Sequence, residues 1–210
     1  MGPLLDGIHG RVQLLEYDWA RLELVGLHSS WSVIALLGTF YAVFGGALVA
    51  LDTLALGDRS ASGASAPARS LLLSRTVAPI AGATVPRMAA AAGATAALLQ
   101  LSAALYARGV PYTVIHAALA PCALGCWAVF DGSLQGLLMS SVAAVAAPFA
   151  SEIILMQLGL WHYRQPDVFI AGQGIVSWVM WCYFGYTSSL GLLARLLWRQ
   201  LQQPDTQVEL

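Results

Sequence analysis

A chain of 210 residues with 58% hydrophobic and only 10% charged side chains, and a mean hydropathy of +0.69, is too apolar for a soluble domain, in which about 25% of residues carry charge. It reads as one integral membrane domain. The net charge of −1 excludes a nucleic-acid binder, and the basic residues, all Arg, carry a topology signal instead.

The first element covers residues 5–24. Leu5, Ile8, Val12, Leu15, Trp19 and Leu22 recur at three- and four-residue steps, with Arg11, Glu16, Asp18, Arg21 and Glu23 on other faces. That period predicts an amphipathic helix lying on the membrane or against other helices, or binding a partner, but not a span. No basic segment followed by an apolar run opens the chain, so no cleaved signal peptide is expected.

Five stretches then approach the roughly 20 apolar residues a span requires, near 29–52, 82–107, 111–130, 135–160 and 173–197. Pro111, Asp131–Gly132 and Pro166–Gly174 punctuate the last four, so their connections are short and neighbours are expected to pack antiparallel. Gly, Ser and Ala dominate residues 57–76 and predict a flexible loop. The fold class is therefore all-α: a polytopic transmembrane helical bundle of five spans, or six if the amphipathic segment is a degenerate one. Residues 1–28 form the amphipathic N-terminal segment, 29–198 the transmembrane domain with a cytosolic loop near 57–80, and 199–210 a polar tail.

Arginine placement orients the bundle. Arg59, Arg69, Arg75 and Arg87 fall on one side with Arg195 and Arg199, and Arg108 and Arg164 on the other. The richer side is expected to be cytosolic, which puts the turn containing Asp131 there too. Two rows of small residues, Ala89–Gly93–Ala97 and Ala143–Ala147, let helix backbones approach closely, either as bundle packing or as an oligomer seam. The sequence shows no internal repeat, which weighs against an inverted-repeat transporter.

The polar residues within these apolar stretches narrow the function. Glu152 lies mid-span, where a lone carboxylate is costly, so it must face the bundle or a polar cavity, as a structural hydrogen-bonded group or as a ligand or proton site. Gln100 and His116 are its candidate partners. Asp131 precedes Gly132 and Ser133, where it is placed to cap the next helix. Trp161, His162 and Tyr163 suit the opposite membrane interface, Pro166 ends the helix, and Asp167 is free to cap the following turn. Cys122, Cys126 and Cys182 read as buried small hydrophobes. Four scattered histidines and no nucleophile–base motif predict neither a catalytic centre nor a metal site.

Three segments together resemble the Insig (insulin-induced gene) proteins. They are Trp127-x-x-Phe130-Asp131-x-Ser133-x-x-Gly136-Leu137; Gly159-x-x-x-Tyr163-x-x-Pro166-Asp167; and Ser177-Trp178 followed by Gly191 and Arg195. The resemblance covers about a third of the chain, with a weaker extension through Trp31 to Asp52 and the Arg87 helix. It implies a multi-pass endoplasmic-reticulum protein, or a plasma-membrane protein in a bacterial host, with no cofactor. Such a protein binds an oxysterol within the bundle, retains the Scap escort protein and promotes degradation of HMG-CoA reductase. Asp131 matches the family's functionally important aspartate, so Trp127, Phe130 and Asp131 become the expected partner-binding residues. The family's sterol-contacting glutamine falls near Val114, which leaves Thr113, His116, Glu152 and Gln100 as the expected ligand-binding set. Gly132 and Leu134 stand where the family has arginines, and the 5–24 segment stands where it has a first span.

The leading expectation is thus a non-enzymatic lipid-responsive regulator, with a homo-oligomer open. The alternative is a small transporter or proton-coupled carrier using Glu152, His116 and Gln100. A lipid-modifying enzyme centred on His162 and Asp167 ranks third.

Overall fold

The computed structural model describes residues 2–24, 26–61 and 82–202. Helix α1 (Gly2–Arg11) leads into β1 (Leu15–Tyr17), then β2 (Arg21–Leu24) and β3 (Leu27–Ser30), before α2 (Trp31–Ala61) begins. Three further helices follow: α3 (Val85–Ala107), α4 (Tyr112–Phe130) and α5 (Leu134–Ala146). A π-helical turn over Ala147–Ser151 joins α5 to α6 (Glu152–Gln157). Strands β4 (Trp161–Tyr163), β5 (Val168–Ile170) and β6 (Gln173–Ile175) precede the last helix, α7 (Val179–Gln202).

Local chemistry sets these limits. Thr84 caps α3 by accepting the Arg87 amide at 3.4 Å, Pro86 occupies the first turn, and Gly109 in the left-handed region (φ 65°) ends it. Ser133 caps α5 through the Gly136 amide at 2.9 Å. Pro148 cannot donate to the helical ladder and its ring crowds the preceding turn, which accounts for the π-helical turn.

Four stretches are long and apolar enough to cross a membrane: Trp31–Leu54, Val85–Ala107, Tyr112–Phe130 and Leu134–Gln157. They match the first four expected spans closely, so the molecule is a mostly helical membrane protein. The stretch expected at 173–197 differs. Its first residues form β6 and a turn, and α7 falls short in apolar content because it buries polar groups, including Thr187, Ser188 and Arg195. Helix α7 packs against α2, α3, α4 and α5. A helix enclosed in this way needs no continuous lipid-facing surface. Close approach is built in at Gly185, where a Cβ would lie 2.5 Å from Leu98, and at Gly191, where it would lie 2.7 Å from Leu48.

The amphipathic helix expected over 5–24 stops at Arg11. Chain reversals at Gln13 (φ 55°) and Ala20 (φ 51°) convert the rest into strands, with Leu15 and Tyr17 buried and Glu16 turned outward. β1 pairs antiparallel with β4, setting Leu15 opposite Tyr163 and Tyr17 opposite Trp161. Trp161 and Tyr163 are therefore buried sheet residues instead of free interfacial rings. The Pro166–Gly174 connection is a β5–β6 hairpin closed by Ala171 and Gly172, both at positive φ, the backbone of a type I′ turn.

The expected loop at 57–76 is helical as far as Ala61. Residues 62–81, with Arg69 and Arg75, lie outside the described residues, as do residues 203–210 of the expected tail. Of the two small-residue rows, Ala143 and Ala147 are buried in the bundle, whereas Ala89, Gly93 and Ala97 are exposed.

Candidate functional site

The π-helical turn introduces an extra residue just before Glu152 and directs that carboxylate inward, where it is 6% exposed. The Tyr163 hydroxyl of β4 donates to its Oε2 at 2.7 Å, and the Tyr183 hydroxyl of α7 donates to its Oε1. Pairing of β4 with β1 holds Tyr163 in place. A buried carboxylate thus finds two donors, each from a rigid element.

A second acid stands beside it. Asp6 on α1 accepts hydrogen bonds from the Tyr17 hydroxyl and, at 2.7 Å, from the Ser29 hydroxyl, both through Oδ2. Burial pushes the Asp6 carboxyl up from 3.8 to about 6, against the downward pull of those two bonds. Burial first, and Asp6 second, push the Tyr17 phenol well above its ordinary value.

Asp6 and Glu152 both line a cavity of about 480 Å³. Its walls are largely apolar: Val33, Phe40 and Phe44 from α2, Ile154 and Leu155 from α6, and Trp161 from β4. A mostly oily lining with two carboxylates and a few hydroxyls in it is the mixture that an amphipathic ligand needs. His9, one turn after Asp6, sits deeper against α3, with Nε2 at 2.7 Å from the Ser102 hydroxyl and its pKa pushed down to about 4 by burial.

The expected ligand-binding set does not converge. Gln100 is exposed and accepts from Arg11 at 3.0 Å. His116 lies between Ser177, at 2.9 Å, and Trp181, whose indole donates to Nδ1 at 3.0 Å; Nε2 therefore carries the proton. Thr113 is exposed, as is Val114. Only Glu152 of the four lines the cleft. The hydroxyls that answer it come from Tyr163 and Tyr183, not from Gln100 or His116.

Asp131 belongs to a different centre. Arg195 of α7 is 1% exposed and donates from Nη1 to Asp131 Oδ2 at 2.8 Å and from Nε to Asp52 Oδ2 at 2.8 Å. Its Nη2 is 3.4 Å from both Asp52 and the Ser133 hydroxyl. One guanidinium thus ties the end of the first span, the α4–α5 turn and α7 together. Asp131 does not cap α5 directly; it accepts the Ser133 amide at 3.0 Å and the Ser133 hydroxyl, and Ser133 is the cap. Gly136 makes room for the carboxylate, since a Cβ there would lie 2.3 Å from it. Trp127 donates to the Ser133 carbonyl at 3.0 Å, and Phe130 packs on Ala83, Ala91 and Leu192. All three expected partner-binding residues are thus engaged within the bundle.

The remaining polar residues have local roles. Asp167 accepts from the Ser177 amide at 2.7 Å and steadies the approach to α7, as expected for a capping acid. His162 is exposed and lies 2.9 Å from Asp18. Cys182 is buried 3.7 Å from Ser102, whereas Cys122 is exposed, contrary to its expected burial; all three cysteines are free. Among the described residues no cluster of three His, Cys, Asp or Glu side chains is arranged for a metal.

The contacts of Asp6, Tyr17, Tyr183, Asp52 and Arg195 emerge only from the fold. A lone acid within an apolar segment was the available sequence signal for Asp6 and for Asp52, the same signal that marked Glu152. Comparison with protein-family profiles, curated proteins and solved structures finds no match to this chain.

Proposed function

We propose that this chain is a non-enzymatic membrane regulator that binds an amphipathic lipid in the cleft headed by Glu152 and Asp6. The observation that carries this reading is the cleft: about 480 Å³, within the range of small-molecule sites, largely apolar along α2 and α6, with the carboxylates of Asp6 and Glu152 in its lining. An oxysterol, the ligand implied by the Insig resemblance, would lay its rings along Phe40 and Val33 and bring a hydroxyl to the carboxylates. Glu152 serves as the anchor of the earlier expectation, with Asp6 in the position that Gln100 or His116 was expected to fill.

Regulation follows if the lipid prefers one arrangement of α2 against α5 and α7, because a ligand shifts an equilibrium only by its differential affinity for the two states. Asp131 then acts on a partner through the Arg195 clamp, which fixes the surface presented by α2, the α4–α5 turn and α7. The partners implied are sterol-sensing membrane proteins of the Scap and HMG-CoA reductase kind, met in the endoplasmic reticulum with five spans, α7 among them, and the arginine-rich side cytosolic.

The test is mass spectrometry of lipid co-purifying with the protein, followed by competition with an oxysterol. A stoichiometric amphiphile displaced by oxysterol from the wild type, and weakened in Glu152→Leu, supports the reading. Protein that retains no lipid and takes up none in bilayers contradicts it.

A further inference from the structure

We infer that the cleft selects a single-chain amphiphile with a positively charged amine head over neutral or acidic ones of the same length. This rests on the reading of the cleft as a lipid site and names the head group that its chemistry favours.

Charge is the first observation. Among the described residues, Asp6 and Glu152 are the charged side chains lining the cleft, and no Arg or His accompanies them there. The hydroxyls of Tyr17, Ser29, Tyr163 and Tyr183 satisfy hydrogen bonds but bring no positive charge. The nearest histidine on α1, His9, is engaged with Ser102 and held neutral by burial. Two acids in an apolar setting without a counter-charge form a place where an ammonium gains most and a carboxylate or phosphate is repelled.

Open acceptor capacity is the second. Both bonds to Asp6 enter through Oδ2, and no described residue donates to Oδ1. An ammonium offers three donors on one nitrogen to a lining with open acceptor capacity, whereas a single hydroxyl offers one.

Aromatic lining is the third. The ring centroids of Tyr17 and Trp161 lie 6.2 Å apart edge-to-face, and that of Phe40 lies 4.4 Å from Phe44 and, edge-to-face, 6.3 Å from Tyr183. Ring faces beside carboxylates are the surroundings in which cations are held by their charge and by the ring quadrupole together. An acyl chain then follows the apolar wall of α2, away from the acids.

The experiment uses the full chain in neutral phosphatidylcholine nanodiscs. Three probes with matched, mid-chain-brominated sixteen-carbon tails carry an amine, an alcohol or a carboxylate. The readout is quenching of tryptophan fluorescence, with Trp161→Phe defining the part that arises in the cleft. The amine is expected to half-saturate at a concentration about tenfold below the alcohol, with the carboxylate weakest. Asp6→Asn, which keeps the acceptor for Tyr17 and Ser29, and Glu152→Gln are each expected to shrink that advantage to about twofold or less while the alcohol still binds. Equal binding of amine and alcohol, or an advantage that survives both substitutions, overturns the head-group assignment and leaves the lipid site standing. No Trp161-dependent quenching by any probe, nor by a brominated sterol, overturns both.

Discussion

Replacing Arg195 with Met removes the one cation that Asp52 and Asp131 share, in a place where all three side chains are almost fully buried. Each ion pair has a 2.8 Å contact. At an effective dielectric of about 20, unit charges about 4 Å apart attract by about 4 kcal/mol, so the two pairs together supply about 8 kcal/mol of attraction. Desolvation of three charged groups and the mutual repulsion of the carboxylates offset a large part of that. What decides the outcome is the state left behind: two buried carboxylates with no cation, a loss of about 3–5 kcal/mol when a single partner is removed. For a chain of this size that corresponds to a fall in Tm of about 10 °C. The assay is thermal unfolding in detergent, followed by circular dichroism and by size-exclusion chromatography of heated samples. The triple variant Asp52→Asn, Asp131→Asn, Arg195→Met removes all three charges and is expected to recover most of the loss. Arg195→Lys is expected to fall between the two, because a point charge cannot span both carboxylates as the forked guanidinium does. A single Arg195→Met variant that melts within about 2 °C of the wild type refutes the clamp.

Two further outcomes follow from the same geometry. Gly136→Ala places a Cβ 2.3 Å from the Asp131 carboxylate and is expected to destabilise by about 1–3 kcal/mol, read as a lower Tm, whereas Gly93→Ala, with open space around it, should leave Tm unchanged or raised. Asp6 has its carboxyl raised from 3.8 to about 6, so the native state holds its proton more tightly than the unfolded chain. Its contribution to stability is complete below about pH 4 and is lost as pH rises through 6. Asp6→Asn should therefore stabilise by up to about 3 kcal/mol at pH 7.5 and by little at pH 4; an offset equal at both values in pH-dependent melting contradicts the burial of that acid.

The spans were legible because lipid imposes a simple rule, a run of about 20 apolar residues, and Pro111 and Asp131–Gly132 punctuate those runs. Glu152 was legible for the complementary reason: an acid at that depth must turn inward. The N-terminal strands were obscured because Leu15, Trp19 and Leu22 also fit a helical step. The alternation of Leu15, Tyr17, Leu22 and Leu24 with Glu16, Asp18, Arg21 and Glu23 carried the strand period. The hairpin at 171–172 escaped notice because Ala171 occupies a left-handed position usually given to Asn, Asp or Gly. Partners separated by long stretches of chain were beyond reach: nothing in the spacing of Asp52, Asp131 and Arg195, or of Asp6 and Glu152, announces that they meet. Helix α7 was read as a span from the apolar stretch at 173–197, while the polar groups within it record a central position among the other helices.

The most direct measurement is photo-affinity mapping with a diazirine-bearing oxysterol in bilayers containing the full chain, followed by peptide sequencing. Adducts concentrated on α2 between Val33 and Phe44 and on α6 near Ile154 and Leu155, competed by unlabelled oxysterol and depleted in Glu152→Leu, are expected. Labelling spread evenly over the lipid-facing helices, indifferent to competitor and to Glu152, would contradict lipid binding in the cleft.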